Sequence, residues 1–340
     1  NGRDWSSDVC SSDLHMNKST KIIGILFGIF LLVLIPIVDK NTYHHIVLCQ
    51  TLVNIVVVTG LNFITGLTGQ MNMGTAGIMA LGAYSAALCS AKFQMPVVVG
   101  FIVAIVMGIL IGKGLGYPSL RLKGVYLSLT TIGFSEITRL ILTNWVGLTG
   151  GTMGVQNIPW INLFGIELNT SFRIYYFYLA IVIVITIMAY RIVHSKWGRV
   201  FKAIRDNVEA VEASGINIAE MKILAFTLAT ILGCFGGAMY THMMGYINPT
   251  TFVQDLSANY LAMMMIGGIG TVGGNVIGGA VITILPEFLR FMESYYWLVF
   301  SVIALLFAIF LPNGIVSLFT HTGPFGKFGL IKHLCKKEGE

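Results

Sequence analysis

Few side chains in this 340-residue sequence combine a reactive type with a suggestive spacing. Glu136 and Arg139 stand three apart inside an apolar run, on one face of any helix formed there. A lone charge at the centre of a bilayer costs about 2.5–3.5 kcal/mol on insertion scales, so the two must pair or face a polar cavity. Two readings follow: a structural pair near the outer interface, or a pair beside a solute pathway or a subunit contact. The five cysteines, Cys10, Cys49, Cys89, Cys234 and Cys335, have no paired spacing and no histidine companions at ligand intervals, so neither disulfide nor metal is expected. His242 is isolated near the end of an apolar run, with no serine–histidine or paired-aspartate arrangement around it. Gly108-Ile-Leu-Ile-Gly112-Lys113 approaches a phosphate-binding loop. It lacks the spacing and terminal hydroxyl of Gly-x-x-x-x-Gly-Lys-Ser/Thr, whose backbone N–H groups cradle phosphates. ATP hydrolysis, if this chain depends on it, must come from other subunits.

The largest hydrophilic stretch, residues 195–222, has its own pattern. Phe201, Ile204, Val208 and Val211 recur at helical spacing, while Lys202–Asp206 and Arg205–Glu209 fall at i,i+4 on the outer faces. Gly215 closes the predicted helix. Such a helix suits two sites, a groove in a soluble partner or an anionic membrane surface.

The elements carrying these residues are apolar. The chain is 55% hydrophobic and 11% charged with net charge +6, and its mean hydropathy is +0.80. Soluble domains average about 25% charged residues, so most of this chain does not face water. A spanning helix needs about 20 mainly apolar residues. Ten candidates occur, at 22–38, 46–65, 74–91, 96–116, 124–146, 173–193, 222–243, 257–273, 276–290 and 295–312. The positive-inside rule orients them with both termini cytoplasmic. Lys18 and Lys21, then Lys113, Arg121 and Lys123, then Lys196, Arg199, Lys202 and Arg205, and finally Lys327, Lys332, Lys336 and Lys337 all fall inside. Residues 147–172 and 244–256, which contain neither Lys nor Arg, fall outside. Arg290, flanked by Glu287 and Glu293, fits least well. The basic excess is thus a membrane-topology signal, not a nucleic-acid one.

Two glycine-rich connections echo each other, Gly66-Leu-Thr-Gly69-Gln70-Met-Asn72-Met-Gly74 and Gly267-Gly268-Ile-Gly270-Thr-Val-Gly273-Gly274-Asn275. Paired interruptions of this kind can mark a translocation pathway, and glycine equally serves close helix packing. Gly69, Gln70, Asn72, Gly74, Glu136, Arg139, Gly270 and Gly273 are therefore the candidate pathway residues. Asn144, Thr149, Gly150 and Gly151 are candidates for contact with an external protein. Tyr175, Tyr176 and Tyr178, with Tyr295, Tyr296 and Trp297, lie at span ends as an interfacial belt. The sixteen methionines are scattered as core packing.

The segment Glu209-Ala210-Val-Glu-Ala-Ser214-Gly215-Ile216-Asn217 resembles the Glu-Ala-Ala…Gly coupling loop of ABC importer permeases. In that family the loop inserts into the ATPase subunit and transmits closure of the nucleotide dimer. The resemblance implies Arg205, Glu209, Ala210, Ser214, Gly215 and Ile216 as coupling residues. Gly66–Gly74 with Leu81-Gly82-Ala83-Tyr84 resembles the second and third spans of branched-chain amino-acid permeases. Leu120–Leu127, Gly133–Arg139, Leu148–Val155, Ile158-Pro159 and Leu163-Phe164-Gly165 resemble their central block, whose length points to the LivM-like member rather than its LivH-like partner. The likeness runs over residues 46–315. Thr152 where the family usually has proline, Trp145 where a polar residue is common, and Leu311 where a basic one is frequent depart from it.

The resemblance implies an all-α polytopic bundle of about ten transmembrane helices in a bacterial cytoplasmic membrane, moving branched-chain amino acids by alternating access. It implies as partners a second LivH-like permease, two ATPase subunits that bind the ATP and Mg, and an extracytoplasmic substrate-binding protein, with no cofactor in this chain. Urea or a short-chain amide is the alternative solute, and an ATP-independent channel for small neutral solutes the alternative class. Residues 1–15, where Ser-Ser-Asp-Val-Cys-Ser-Ser-Asp-Leu resembles a translated sequencing adapter, are expected to be a non-native leader ahead of Met16. Residues 16–320 are expected to form the membrane domain and 321–340 a basic cytoplasmic tail.

Overall fold

The structure, a computed structural model, describes residues 41–120, 122, 124–163, 166–167, 170–288, 301–302, 305 and 314–315. The expected leader, the span at 22–38, most of that at 295–312, the tail, and the positions Arg121, Lys123, Arg290, Glu293, Tyr295, Tyr296 and Trp297 lie outside the described residues. Contacts divide the chain after His44, and the architecture below is that of the unit beginning at His45.

Eleven helices are needed to follow the chain: α1 (Thr42–Leu61), α2 (Thr75–Ala87), α3 (Val97–Ser119), α4 (Val125–Asn144), α5 (Val146–Thr149), α6 (Ser171–His194), α7 (Lys196–Asp206), α8 (Val208–Ala213), α9 (Ile218–Met244), α10 (Gln254–Gly267) and α11 (Val272–Phe288). A two-residue antiparallel pair, β1 (Asn162–Leu163) with β2 (Ile166–Glu167), is the minor exception to the helical elements among the described residues. Among the described residues five helices are long and apolar enough to cross a membrane: Thr42–Leu67, Val97–Pro118, Val125–Asn144, Ser171–His194 and Ile218–Met244. They coincide with five of the expected spans.

The inner helices are apolar all round, as a helix without a water-facing side must be. Residues Leu52 to Leu61 of α1 are all buried, and α2, rich in alanine and glycine with Ile78, Met79, Leu81 and Tyr84 among them, has only Leu81 and Ser85 less than buried. Glycine sets how closely they pack. A Cβ at Gly82 would lie 2.3 Å from the Cα of Cys234, and one at Gly237 would lie 2.1 Å from the Met79 carbonyl oxygen. One at Gly108 would come within 2.6 Å of the Ile231 Cα, and one at Gly112 within 2.5 Å of the Thr227 Cα. The stretch that approached a phosphate loop is thus a Gly-x-x-x-Gly packing seam between α3 and α9. Buried polar groups join α1, α10 and α11: Asn54 Nδ2 donates to Thr283 Oγ1 at 2.8 Å, and the Tyr260 hydroxyl donates to Asn54 Oδ1 at 3.2 Å.

Two expectations need correction. The span expected at 257–273 does not run through. Helix α10 ends at Gly267, Gly268 and Gly270 adopt positive φ (129° and 81°), and α11 begins at Val272. Fourteen residues rise only about 21 Å, short of the roughly 30 Å hydrocarbon core. The single helix expected over 200–216 is two helices. Asn207, extended at φ −156° and ψ 104°, breaks it, and its Oδ1 accepts the Ala210 N–H at 3.1 Å to cap α8. The break removes the register that would pair Arg205 with Glu209. Among the described residues neither that pair nor Lys202–Asp206 forms an ion pair.

Candidate functional site

The residues with chemical potential collect at two ends of the bundle. At one end, α6 runs directly into α7. Ser195 Oγ accepts the Trp197 N–H at 3.2 Å to start α7. A Cβ at Gly198 would sit 2.1 Å from the Val193 carbonyl oxygen, so only glycine lets α7 fold back so tightly. This fold places Phe201 in a buried cluster with Phe63, Leu67, Ala189, Val193, Ala225 and Val272. Phe201, Ile204 and Val211 of the expected stripe are buried, whereas Val208 is exposed. Phe201 therefore anchors the stripe on the protein's own bundle, whereas Val211 lines a groove beside it. The stripe's opposite side, with the α7–α8 bend, opens this groove of about 580 Å³, lined in part by Lys196, Arg199, Val200, Ala203, Ala210 and Ile216. A second depression of about 320 Å³, touching Glu212, Ile216, Asn217 and Lys222, adjoins it. Glu209 and Ser214 are exposed beside these hollows. Gly215 turns the chain at φ +78°, and Asn217 caps α9 by accepting the Glu220 N–H.

Arg205 connects this loop to both glycine-rich connections. Its Nη1 donates to the Gly66 carbonyl at 2.7 Å. Gly66 lies in a wider, π-helical turn over Asn62–Leu67 that extends α1; such turns loosen the regular ladder and recur at functional positions. The aliphatic stem of Arg205 crosses Gly69, where a Cβ would lie 3.1 Å from Arg205 Cγ. The Gly270 N–H donates to Asn62 Oδ1 at 2.8 Å. A Cβ on Gly66 would come within 1.8 Å of that same Oδ1. Three of the expected residues, Gly69, Arg205 and Gly270, thus meet although about 200 positions separate the first and last.

The remaining candidates sit elsewhere. Asn72 Oδ1 accepts the Gly74 N–H at 2.8 Å, and a Cβ at Gly74 would lie 2.8 Å from the Thr131 carbonyl oxygen, fixing the entry to α2. The Gln70 N–H donates to the Ile64 carbonyl at 3.3 Å, and Gly273 has open space where a Cβ would stand. Glu136 and Arg139 pair with each other, Arg139 Nε donating at 3.1 Å to both carboxylate oxygens. Their side chains are 47% and 26% exposed on an α4 face shared with Tyr126, Leu129, Ile137 and Leu140.

At the opposite end, residues 146–161 are stitched to the chain after α9. Val155 and Ile247 exchange backbone hydrogen bonds at 2.9 and 3.1 Å, and the Ile158 N–H donates to the Gly245 carbonyl. Both segments were expected on one side of the membrane, away from 195–222. Thr149 is buried, its Oγ1 donating to the Leu142 carbonyl at 2.6 Å, and Gly151 is buried behind it. Gly150 turns at φ +75°, and Asn144 Nδ2 donates within its own helix to the Leu140 carbonyl. The exposed side chains here include Asn144, Trp145, Val146, Met153 and Trp160.

Sequence reasoning missed Asn62 and Phe201 as parts of the site. A polar residue inside an otherwise apolar span was the available signal for Asn62. Phe201 was recognised as apolar but not as anchored to its own bundle.

Residues 45–309 match the family described as the permease component of branched-chain amino acid transport systems. The chain belongs to this family. It is 28% identical over 291 residues to the "High-affinity branched-chain amino acid transport system permease protein LivM" of Escherichia coli K12, covering 79% of this chain and 68% of that protein. It is 25% identical over 234 residues to a "Probable branched-chain amino acid transport permease protein LivM" of Methanocaldococcus jannaschii, covering 64% of this chain and 68% of that one. It is also 25% identical over 320 residues to the "Ribose import permease protein RbsC" of E. coli K12, covering 84% and 92%. No solved structure matches. The chain is a multi-pass membrane protein of the permease class, a transport subunit.

Proposed function

We propose that this chain is the transmembrane permease subunit of an ABC importer for branched-chain amino acids in a bacterial cytoplasmic membrane. The observation that carries the reading is the 195–222 loop: its apolar stripe is held by the bundle, and its outer side presents a groove with exposed Glu209 and Ser214. A loop that is anchored yet open outward suits engagement by a soluble ATPase subunit, which would bind the ATP and Mg. Arg205, Ala210, Gly215 and Ile216 belong to the same coupling element.

In this reading both termini are cytoplasmic, and α10 and α11 form a short pair that stands where two of the ten expected spans were placed. The exposed α4 face carries the Glu136–Arg139 pair, which is costly against lipid and better placed against a second, LivH-like permease, with the solute path between the two. Gly69, Gln70, Asn72, Gly74, Gly270 and Gly273 line or shape that path. At the outer end an extracytoplasmic binding protein delivers solute, touching Asn144 and its exposed neighbours Trp145, Val146 and Met153, while Thr149, Gly150 and Gly151 shape the platform. Closure of two ATPase subunits then drives alternating access.

Co-expression of the chain with its genomic neighbours, followed by affinity purification, tests the assembly. Recovery of two ATPase subunits and a second permease, lost when 200–216 is deleted, is the expected result. A chain that purifies alone and conducts solute in liposomes without ATP overturns it. The ribose-permease relative makes solute choice a separate question, which uptake of leucine competed by isoleucine, valine, ribose or urea decides.

A further inference from the structure

The contacts around Arg205 go beyond anchoring a docking loop. α7 touches the glycine-rich ends of both echoing segments at once. Phe201 belongs to one buried cluster with Phe63 and Leu67 in the turn that extends α1 and with Val272 at the start of α11. Arg205 adds a directional bond to the first end, from Nη1 to the Gly66 carbonyl. The first end is in turn bonded to the second, through Asn62 Oδ1 and the Gly270 N–H. Gly270 also lies close to the guanidinium, since a Cβ there would be 3.7 Å from Arg205 Nη1.

Three features suit this junction to movement. The α1 end is π-helical, so its carbonyls are not all committed to a regular ladder. The α10–α11 turn uses two glycines at positive φ, and the hydrogen bonds of its Thr271 side chain stay local, to the Gly268 carbonyl and the Gly274 N–H. Gly69, at φ +71°, leaves a channel just wide enough for the arginine stem. A displacement of α7 along its axis is therefore delivered to two helix ends by one side chain. The buried contacts of Phe201 are apolar and can slide, as packed helices do in shear motions.

We propose that Arg205 is the positioning residue that links the ATPase-facing loop to both glycine-rich junctions, so that they move together in the transport cycle. This rests on the reading of 195–222 as the ATPase-engaging loop. Arg205 touches neither solute nor nucleotide in this scheme. It acts through the Gly66 carbonyl, and through Asn62 on the α10–α11 turn.

The test uses the complete importer reconstituted in liposomes with its ATPase subunits and binding protein. Arg205→Met keeps an unbranched stem over Gly69 but has no donor, and Arg205→Lys restores one. Arg205→Met is expected to co-purify with the ATPase subunits and hydrolyse ATP, while solute moved per ATP falls by about tenfold or more, the scale of a lost charge-assisted hydrogen bond. Arg205→Lys is expected to recover part of that ratio, which general destabilisation would not reproduce. Wild-type solute per ATP in Arg205→Met overturns the proposal and leaves ATPase docking intact. Loss of the ATPase from Arg205→Met also overturns it, making Arg205 a docking residue instead. Failure of the unaltered chain to bind any ATPase sinks the reading beneath it. A measurement free of mutation stands alongside: amide exchange in the unaltered importer should change together at residues 66–70 and 268–271 when ATP is added. Exchange that changes at 200–216 alone counts against the linkage.

Discussion

The two ends of the bundle are closed by loops of opposite construction. At the outer end the backbone itself is the fastening. Val155 and Ile247 form a bridge, and Gly150 and Gly154 sit at positive φ where an added Cβ would lie 2.2 and 1.9 Å from carbonyl oxygens. At the other end the fastening is by side chains, the Phe201 cluster and the Arg205–Gly66 bond, and a Cβ at Gly215 would meet nothing within 4 Å. Backbone locks hold one geometry, whereas side-chain fastenings allow a loop to shift and still stay attached. In the proposed reading, where residues 146–161 face outward, that end then serves as a platform and the 195–222 end as a lever.

The largest expected effect breaks the platform. Gly154 has φ +69° and ψ −164°, a region essentially reserved for glycine, and it lies against Ile247. Gly154→Val should cost more than about 4 kcal/mol, from backbone strain together with overpacking. Detergent-solubilised protein should then lose its thermal transition or aggregate. A normal melting curve would mean that the outer end is looser than its bridge implies. Next comes the main fastening of the lever. Phe201→Ala should cost about 3 kcal/mol through lost burial and a cavity. Because that cavity lies at one end of the bundle, protease cutting should rise at 195–222 well before the outer loops are cut. Simultaneous cutting at both ends would erase the distinction.

Much of this was legible before any coordinates. Five apolar runs became helices of spanning length, and Gly215 ended its helix as read. Periodicity found Phe201, Ile204 and Val211, because a helical stripe is a local property. It could not say what the stripe faces, since Phe63 and Val272 lie some 138 and 71 positions away in sequence, and so Phe201 was not seen as an anchor. The Lys202–Asp206 and Arg205–Glu209 spacings presumed an unbroken helix, and the capping ability of Asn207 was the overlooked signal against one. The glycine echo was visible in the sequence, but spacing alone held packing and pathway as equal readings. Only the meeting of Gly66, Gly69, Gly270 and Arg205 showed that the two connections are parts of one junction. Thr149 and Gly151 illustrate the reverse: polar or small residues in an outer loop read as contact surface, yet burial makes them the supports of that surface.

Gly215 sharpens the comparison at smaller cost. Its φ of +78° penalises a β-branched side chain by about 1–2 kcal/mol, but no neighbour stands in the way. Gly215→Val should therefore insert and assemble, with melting lowered by a few degrees, while uptake falls far more than ATP hydrolysis. Full uptake would remove the turn from the lever.

The smallest expected effect is at Asn207, where the lever bends. Asn207→Ala removes the cap on the Ala210 N–H at a cost of about 1 kcal/mol. The bend itself, with ψ at 104°, is open to alanine, so the two helices need not fuse. If the bend only joins α7 to α8, uptake and ATP hydrolysis should decline together and slightly. If the bend fixes the angle at which the groove meets its partner, the concentration of ATPase needed for half-maximal assembly should rise while solute per ATP stays constant. The second outcome is expected, because the groove is lined from both sides of Asn207, by Val200 and Ala203 on α7 and Ala210 on α8. Arg205 lies on the α7 side, so its bond to Gly66 should survive the loss of the cap. Docking and transmission would then be separable properties of one loop, the first depending on its bend and the second on its arginine.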